Sequence, residues 1–280
     1  VNQPAPSEPL LFRHVTHTPG AAAVELDRLA VRYGERLALD AVTLRVPPGE
    51  RLAIVGPNGA GKTTLFKALS GLLTPSEGRV QVFGSPPRQH ACIAYLVQRS
   101  QVDWDFPVTV RDVVLMGRVR EIGLFRRPRA ADRAFADECL ACVGLGALAG
   151  RQIGELSGGQ QQRMFIARAL AQEASILLLD EPFTGLDLQT QHGLLDLLER
   201  LSDRGVTCLV ATHDLDLAAA HFDRILLLNR TVVACGPPAH VFQTEHLTAT
   251  FGHHARTIRT NDGLVIIDGA CCTPGEARRG

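Results

Sequence analysis

Residues 1–20, rich in Pro, His and Thr, carry no sustained hydrophobic period and read as a loose tail. From Ala23 the texture changes. Val24–Tyr33 and Leu37–Val46 alternate as strands do, with a turn at Gly34 between them. Pro47-Pro48-Gly49 punctuates, Arg51–Val55 predicts a short buried strand, and Lys62–Leu69 has helical texture after a Gly-rich loop. Gly78–Phe83 and Cys92–Val97 are further predicted strands. Between about 99 and 165 strand signals are few: the spacing predicts helices, Ala131–Val143 above all, with a basic turn at Arg126-Arg127-Pro128-Arg129. Alternation then returns, with strands at Ile176–Leu179, Val206–Ala211 and Ile225–Leu228 and helices at Gln189–Leu201 and Asp214–Ala220. Short apolar strands alternating with helices predict an α/β fold, a mostly parallel core sheet covered on both faces. A helical subdomain interrupts it and an antiparallel β subdomain precedes it. At the far end Thr257–Asp268 alternates around Asp262-Gly263, the pattern of a hairpin with a two-residue turn.

Composition narrows the class. The 280 residues are 45% hydrophobic and 21% charged, a globular balance that can bury a full core without disulfide or metal staples. Lys+Arg and Asp+Glu both number 29, which argues against gripping nucleic acid by bulk charge. No run approaches the ~20 apolar residues of a bilayer-spanning helix. Val1–Gly20 lacks the basic-then-apolar layout of a secretory signal. The 7 cysteines are odd in number and none is assigned to a Cys-x-x-Cys pair, so a reducing compartment is expected.

The first chemistry-bearing motif is Gly56-Pro57-Asn58-Gly59-Ala60-Gly61-Lys62-Thr63, with Thr64 following. It matches G-x-x-x-x-G-K-[ST] and lies between a predicted strand and a predicted helix, as a phosphate-binding loop must. Its backbone N–H groups and the helix N-terminus suit phosphate oxygens. Lys62 is expected to reach the β and γ phosphates, and Thr63 to offer its hydroxyl to Mg²⁺. Asp180 ends the apolar run Ile176–Leu179 and is followed by Glu181. An acid at the carboxyl end of a buried strand is placed to hold Mg²⁺, and the next residue to polarise an attacking water.

Leu156-Ser157-Gly158-Gly159-Gln160 is the deciding motif. Ser157 is expected to cap the helix that runs through Ala171, and the two glycines expose backbone N–H groups. With these motifs in this order the chain resembles the ATP-binding cassette subunits of ABC transporters over about Ala23 to Gly252. The resemblance implies ATP hydrolysis with Mg²⁺ by a P-loop NTPase. It also implies a head-to-tail pair of cassettes, each ATP lying between one copy's phosphate loop and the other's Ser157, Gly158, Gly159 and Gln160. Under it, Tyr33 matches the aromatic stacked on adenine. Gln98 matches the glutamine that senses Mg²⁺ and the attacking water. Gly185-Leu186-Asp187 matches the loop crossing the dimer interface, and His213 the switch histidine at the γ-phosphate. The division expected is a tail at 1–20, the ATPase domain at 21–252 and a C-terminal extension at 253–280.

The insert supplies the clue to cargo. Val102-Asp103-Trp104-Asp105-Phe106-Pro107 followed by Val113-Val114-Leu115-Met116-Gly117-Arg118 resembles the manganese/zinc/iron importer branch. Siderophore, haem and cobalamin importers are the near alternative, and a soluble non-transport ATPase a remoter one. The resemblance implies integral membrane permease subunits, an extracytoplasmic substrate-binding protein and a peripheral place on the cytoplasmic face of the membrane. Asp103 and Asp105 around the tryptophan are read as a surface loop before a helix capped near Thr109, in preference to a metal site. His14, His17, His240, His246, His253, His254, Cys271 and Cys272 fit no zinc template and are read as solvated tail residues.

Overall fold

A computed structural model describes residues 20–89, 92–97, 102–123, 126–252, 255–260 and 263–268. The predicted tail residues up to 19, Gln98, the turn residue Asp262, His253, His254 and the two terminal cysteines lie outside them.

Strands β1 (Val24–Tyr33) and β2 (Arg36–Val46) form an antiparallel pair, and β4 (Glu77–Val82) joins β1 on its other edge. The core sheet has the order β5-β6-β7-β3-β8-β9, with β3 (Arg51–Val55), β5 (Ile93–Leu96), β6 (Ile176–Asp180), β7 (Thr207–Thr212) and β8 (Arg224–Asn229) parallel. Only β9 (Thr231–Gly236) runs antiparallel, against β8. The fold is therefore the α/β arrangement expected, a mostly parallel sheet with an antiparallel β layer on one side.

Period two explains how β6 serves both layers. Leu177 and Leu179 belong to one core cluster, with α5 (Gly158–Ala171), α6 (Leu188–Asp203) and the inserted helices. Ile176 and Leu178 belong to the other, with α1 (Lys62–Leu69) and the antiparallel layer. All five β6 residues are buried, the signature of a strand covered on both faces. By the same parity Asp180 stands on the α1 face, beside Ile176 and Leu178.

The insert is helical, as expected: α2 (Val110–Met116), α3 (Val119–Ile122) and α4 (Ala130–Cys142) precede α5. Thr109 caps α2 through a reciprocal box with Asp112, and Trp104 packs edge-on against Phe165 of α5 at 5.8 Å. Asp103 accepts from the Asp105 backbone at 3.1 Å, a loop turn, and among the described residues no cluster of three or more His, Cys, Asp or Glu side chains is placed to hold a metal. Arg118 ties the insert to the core. It donates to Glu173 at 3.0 Å, lies 3.9 Å from Asp132 and sits over the Phe135 ring at 4.7 Å.

Three readings need correction. Cys139 and Cys142 do stand at Cys-x-x-Cys spacing, one turn apart on α4; both are free thiols and Cys139 is buried. His240 and His246 belong to helices α8 (Pro238–Val241) and α9 (Thr244–Phe251) and not to a tail, and His246 Nδ1 lies 3.2 Å from the Val241 carbonyl. Strand β9 and these two helices had no predicted counterpart. Beyond α9, β10 (Ala255–Thr260) pairs antiparallel with β11 (Gly263–Asp268) as a hairpin, but Gly263, expected in the turn, is the first residue of β11 and stands opposite Thr260. Among the described residues no helix is long and apolar enough to cross a membrane.

Candidate active site

The parallel topology gathers the chemistry at one sheet edge. The loop after β3, Asp180 at the end of β6 with Glu181 following, and His213 after β7 all lie at the carboxyl ends of neighbouring strands. Helix dipoles and loop N–H groups face ligands at that edge.

The loop between β3 and α1 can run there only because Gly56 has no side chain: a Cβ would sit 2.1 Å from the Leu228 carbonyl oxygen. Lys62, the first residue of α1, is 6% exposed and its ammonium donates to the carbonyls of Gly56 at 2.6 Å and Pro57 at 3.3 Å. It also lies 3.8 Å from Glu181 Oε1. Burial lowers the Lys62 pKa, and the Glu181 and Asp180 carboxylates work against that fall. Thr63 donates its hydroxyl to Asp180 Oδ2 at 2.7 Å, so loop and strand acid are in direct contact.

Asp180 is 4% exposed and burial raises its pKa, against hydrogen bonds from Thr63 and Tyr95 and the charge of Lys62. Its other oxygen, Oδ1, is buried and makes no hydrogen bond. Glu181 adopts φ 51, a left-handed conformation costing a non-glycine residue roughly 1–2 kcal/mol. Its N–H donates to the Ala211 carbonyl at 3.0 Å, which anchors the bend to β7. The bend turns the carboxylate across the site. Oε1 faces Lys62, and Oε2 accepts from Thr184 at 3.3 Å and lies 3.4 Å from Nδ1 of His213. The His213 side chain remains 62% exposed.

Lys62, Thr63 and Glu181 border a cleft of about 340 Å³ whose lining also includes Tyr33, Arg36 to Ala38 and the rest of Pro57 to Thr64. Tyr33 is 48% exposed, which suits a ring that offers a face to a ligand. Arg36 and Tyr95 were not among the predicted site residues. Arg36 opens β2 beside the cleft, and Tyr95 donates its hydroxyl to Asp180 Oδ2 at 3.2 Å. Strand parity along Ile93–Leu96, once paired with β6, is the signal that finds Tyr95.

Ser157 caps α5 as expected, its hydroxyl accepting from Gln160 N at 3.4 Å while Gln160 Oε1 accepts from Ser157 N at 3.0 Å. Asp187 caps α6 and is bonded twice to Thr190. Neither Ser157–Gln160 nor Asp187 lines the cleft that holds Lys62.

Known proteins resemble this chain over most of its length. The sequence model of a family described as ABC transporter matches residues 39–184. A zinc transport system ATP-binding protein of Treponema pallidum, TroB, is 48% identical over 233 residues, 83% of this chain and 88% of the relative. A manganese transport system ATP-binding protein of Bacillus subtilis, MntB, is 47% identical over 230 residues, 82% of this chain and 92% of the relative. Among solved structures, an inward-facing metal-chelate type ABC transporter superposes with TM-score 0.76 at 30% identity, covering 88% of this chain and 98% of that one. An ATP-binding cassette in its ADP conformation gives TM-score 0.72 at 25% identity, covering 82% and 98%.

Proposed function

This chain belongs to the ABC transporter family as an ATP-binding subunit, and on that ground we propose how its site works and what it serves. It binds and hydrolyses ATP to energise a membrane transporter that imports a transition-metal ion, manganese, zinc or iron. The observation that carries this reading is the contact set Lys62, Thr63, Asp180, Glu181 and His213, formed at one sheet edge from three neighbouring strands.

In the proposed cycle the triphosphate lies along Gly56 to Thr64 and Tyr33 stacks on the adenine. Lys62 turns from the loop carbonyls to the β and γ phosphates. A water attacks the γ-phosphorus in line, Glu181 accepts its proton, and the bond to the β–γ bridging oxygen breaks. The electron pair leaves with ADP and the second product is inorganic phosphate. His213, beside the same carboxylate, orients the water and meets the γ-phosphate; Gln98 has the companion role.

A magnesium ion fits this donor set. All candidate ligands are hard oxygens, and buried Asp180 Oδ1 has no hydrogen-bond partner, so it is available to the ion or a water on it. Thr63, Asp180 and Gln98 would hold it. When bound it neutralises charge on the β and γ phosphate oxygens.

The position of Ser157–Gln160 away from the cleft supports a head-to-tail pair, in which the second copy's α5 N-terminus meets the γ-phosphate. Asp187 then lies at the dimer interface. The insert docks on permease subunits, which places the chain at the cytoplasmic face of the membrane. An extracytoplasmic binding protein delivers the ion. Residues 21–252 form the ATPase domain, with the tail and the hairpin-bearing extension outside it. A chelated-metal cargo is the second reading, favoured by the metal-chelate transporter among the structural neighbours. Purification from membranes tests the assembly: a polytopic permease should co-purify stoichiometrically, and its reproducible absence would sink the transporter role.

A further inference from the structure

Asp180 is held by more than the phosphate loop. Its Oδ2 accepts two hydroxyl hydrogen bonds, from Thr63 at 2.7 Å and from Tyr95 at 3.2 Å, while Oδ1 accepts none. Tyr95 comes from β5, the edge strand beside β6, and pairs with Leu178, the residue that shares a face with Asp180. Its ring is fixed by an edge contact with Phe66 of α1, at 6.0 Å between centroids. Burial, together with the neighbouring carboxylate, raises the Tyr95 pKa far above the working range, so the hydroxyl keeps its proton and acts as a donor.

The two donors differ in their freedom. Thr63 sits on the nucleotide loop and its hydroxyl has a second task in the proposed site. Tyr95 lines no part of the cleft and belongs to the packed face of the sheet. We propose that Tyr95 is a positioning residue for the magnesium site. By occupying Oδ2 from the sheet side, it holds the Asp180 carboxylate in one orientation and leaves Oδ1 for the metal or its water. This inference rests on the proposed use of Asp180 for magnesium. The physical basis is the general one for ligand carboxylates: a second hydrogen-bonded group fixes their orientation, and losing it weakens metal binding about 10–100-fold. Because the Tyr95 bond is long for an O–H donor, the low end of that range applies.

The test is a magnesium titration of nucleotide binding, with a non-hydrolysable ATP analogue and the full chain, for wild type, Tyr95→Phe and Asp180→Asn. Tyr95→Phe keeps the ring and its contact with Phe66, and its melting temperature checks the fold. The expected result is about a tenfold rise in the magnesium concentration that half-saturates the effect, with analogue affinity in EDTA unchanged. A general packing defect would weaken binding in EDTA as well. If wild type responds to magnesium, Asp180→Asn abolishes the response and Tyr95→Phe titrates like wild type, the positioning role is overturned and the magnesium site stands. A wild type with no magnesium response, matched by Asp180→Asn, would remove the site itself.

Discussion

Replacing Gly159 with alanine puts a methyl group where the first turns of α5 and α6 touch. A Cβ at 159 would stand 2.1 Å from Thr190 Cγ2, against the ~3.5–4.0 Å of a comfortable carbon contact. Thr190 cannot simply turn its methyl away, because its hydroxyl is bonded to Asp187 at 2.7 Å and its N–H at 2.9 Å. The helices must separate or the side chain must leave its bonds, and overpacking of this kind costs about 2 kcal/mol. With roughly 2.1 cal/mol/K of unfolding entropy per residue, a chain of 280 residues should lose about 3 °C in Tm. Differential scanning calorimetry or a dye melt reads that directly. Thr190→Ser keeps the hydroxyl and removes the offending methyl, so Gly159→Ala combined with Thr190→Ser should melt within a degree or so of Thr190→Ser alone. A Gly159→Ala protein that melts like wild type, or a double variant with no recovery, would refute the close approach.

Arg118→Ala should lower stability by about 3 kcal/mol in urea unfolding, since it strands the largely buried carboxylates of Asp132 and Glu173. Arg118→Lys should recover little of it, an ammonium lacking the fork that reaches both acids and covers Phe135. Alkaline pH should destabilise the fold, because burial raises the thiols of Cys92 to about 11 and of Cys139 and Cys208 to about 12, from 9.0 when free. A folded pKa above the unfolded one means stability is complete below pH 9 and falls above it, as only the unfolded state ionises. Each thiol contributes about 1.4 kcal/mol per pH unit between pH 9 and 11, and Cys208→Ala should reduce the slope accordingly. Urea midpoints that stay flat across that interval would contradict the burial of these groups.

The parts most legible in the sequence are those where local pattern and chemistry coincide. Arg51–Val55, the glycine loop and Lys62–Leu69 declare a strand, a phosphate cradle and a helix in succession, and the structure places each there. Buried β6 was equally plain, an unbroken apolar run ended by an acid. Strand β9 escaped because its residues are mostly half-exposed, without the alternation that marks one buried face. Helix α8 is a single turn, too short for a helical period to emerge, and α9 buries only Leu247 and Thr250, too few positions to mark one. The contacts of Asp180 were legible on one side only. Thr63 lies in a motif, whereas Tyr95 reaches Asp180 through the pairing of β5 with β6, which no local pattern states. The left-handed bend at Glu181 was hidden too, since a glutamate is an unfavoured residue for that conformation and tertiary contacts hold it there.

If ATP hydrolysis at Glu181 drives metal-ion import, uptake must depend on that carboxylate. Uptake of radiolabelled manganese, zinc and iron into cells lacking this chain, complemented at equal abundance by wild type or Glu181→Gln, tests it most directly. Wild type should restore uptake of one of these ions, while Glu181→Gln should bind ATP and restore none. Full uptake with Glu181→Gln, or no change in any of the three ions with wild type, would contradict the account.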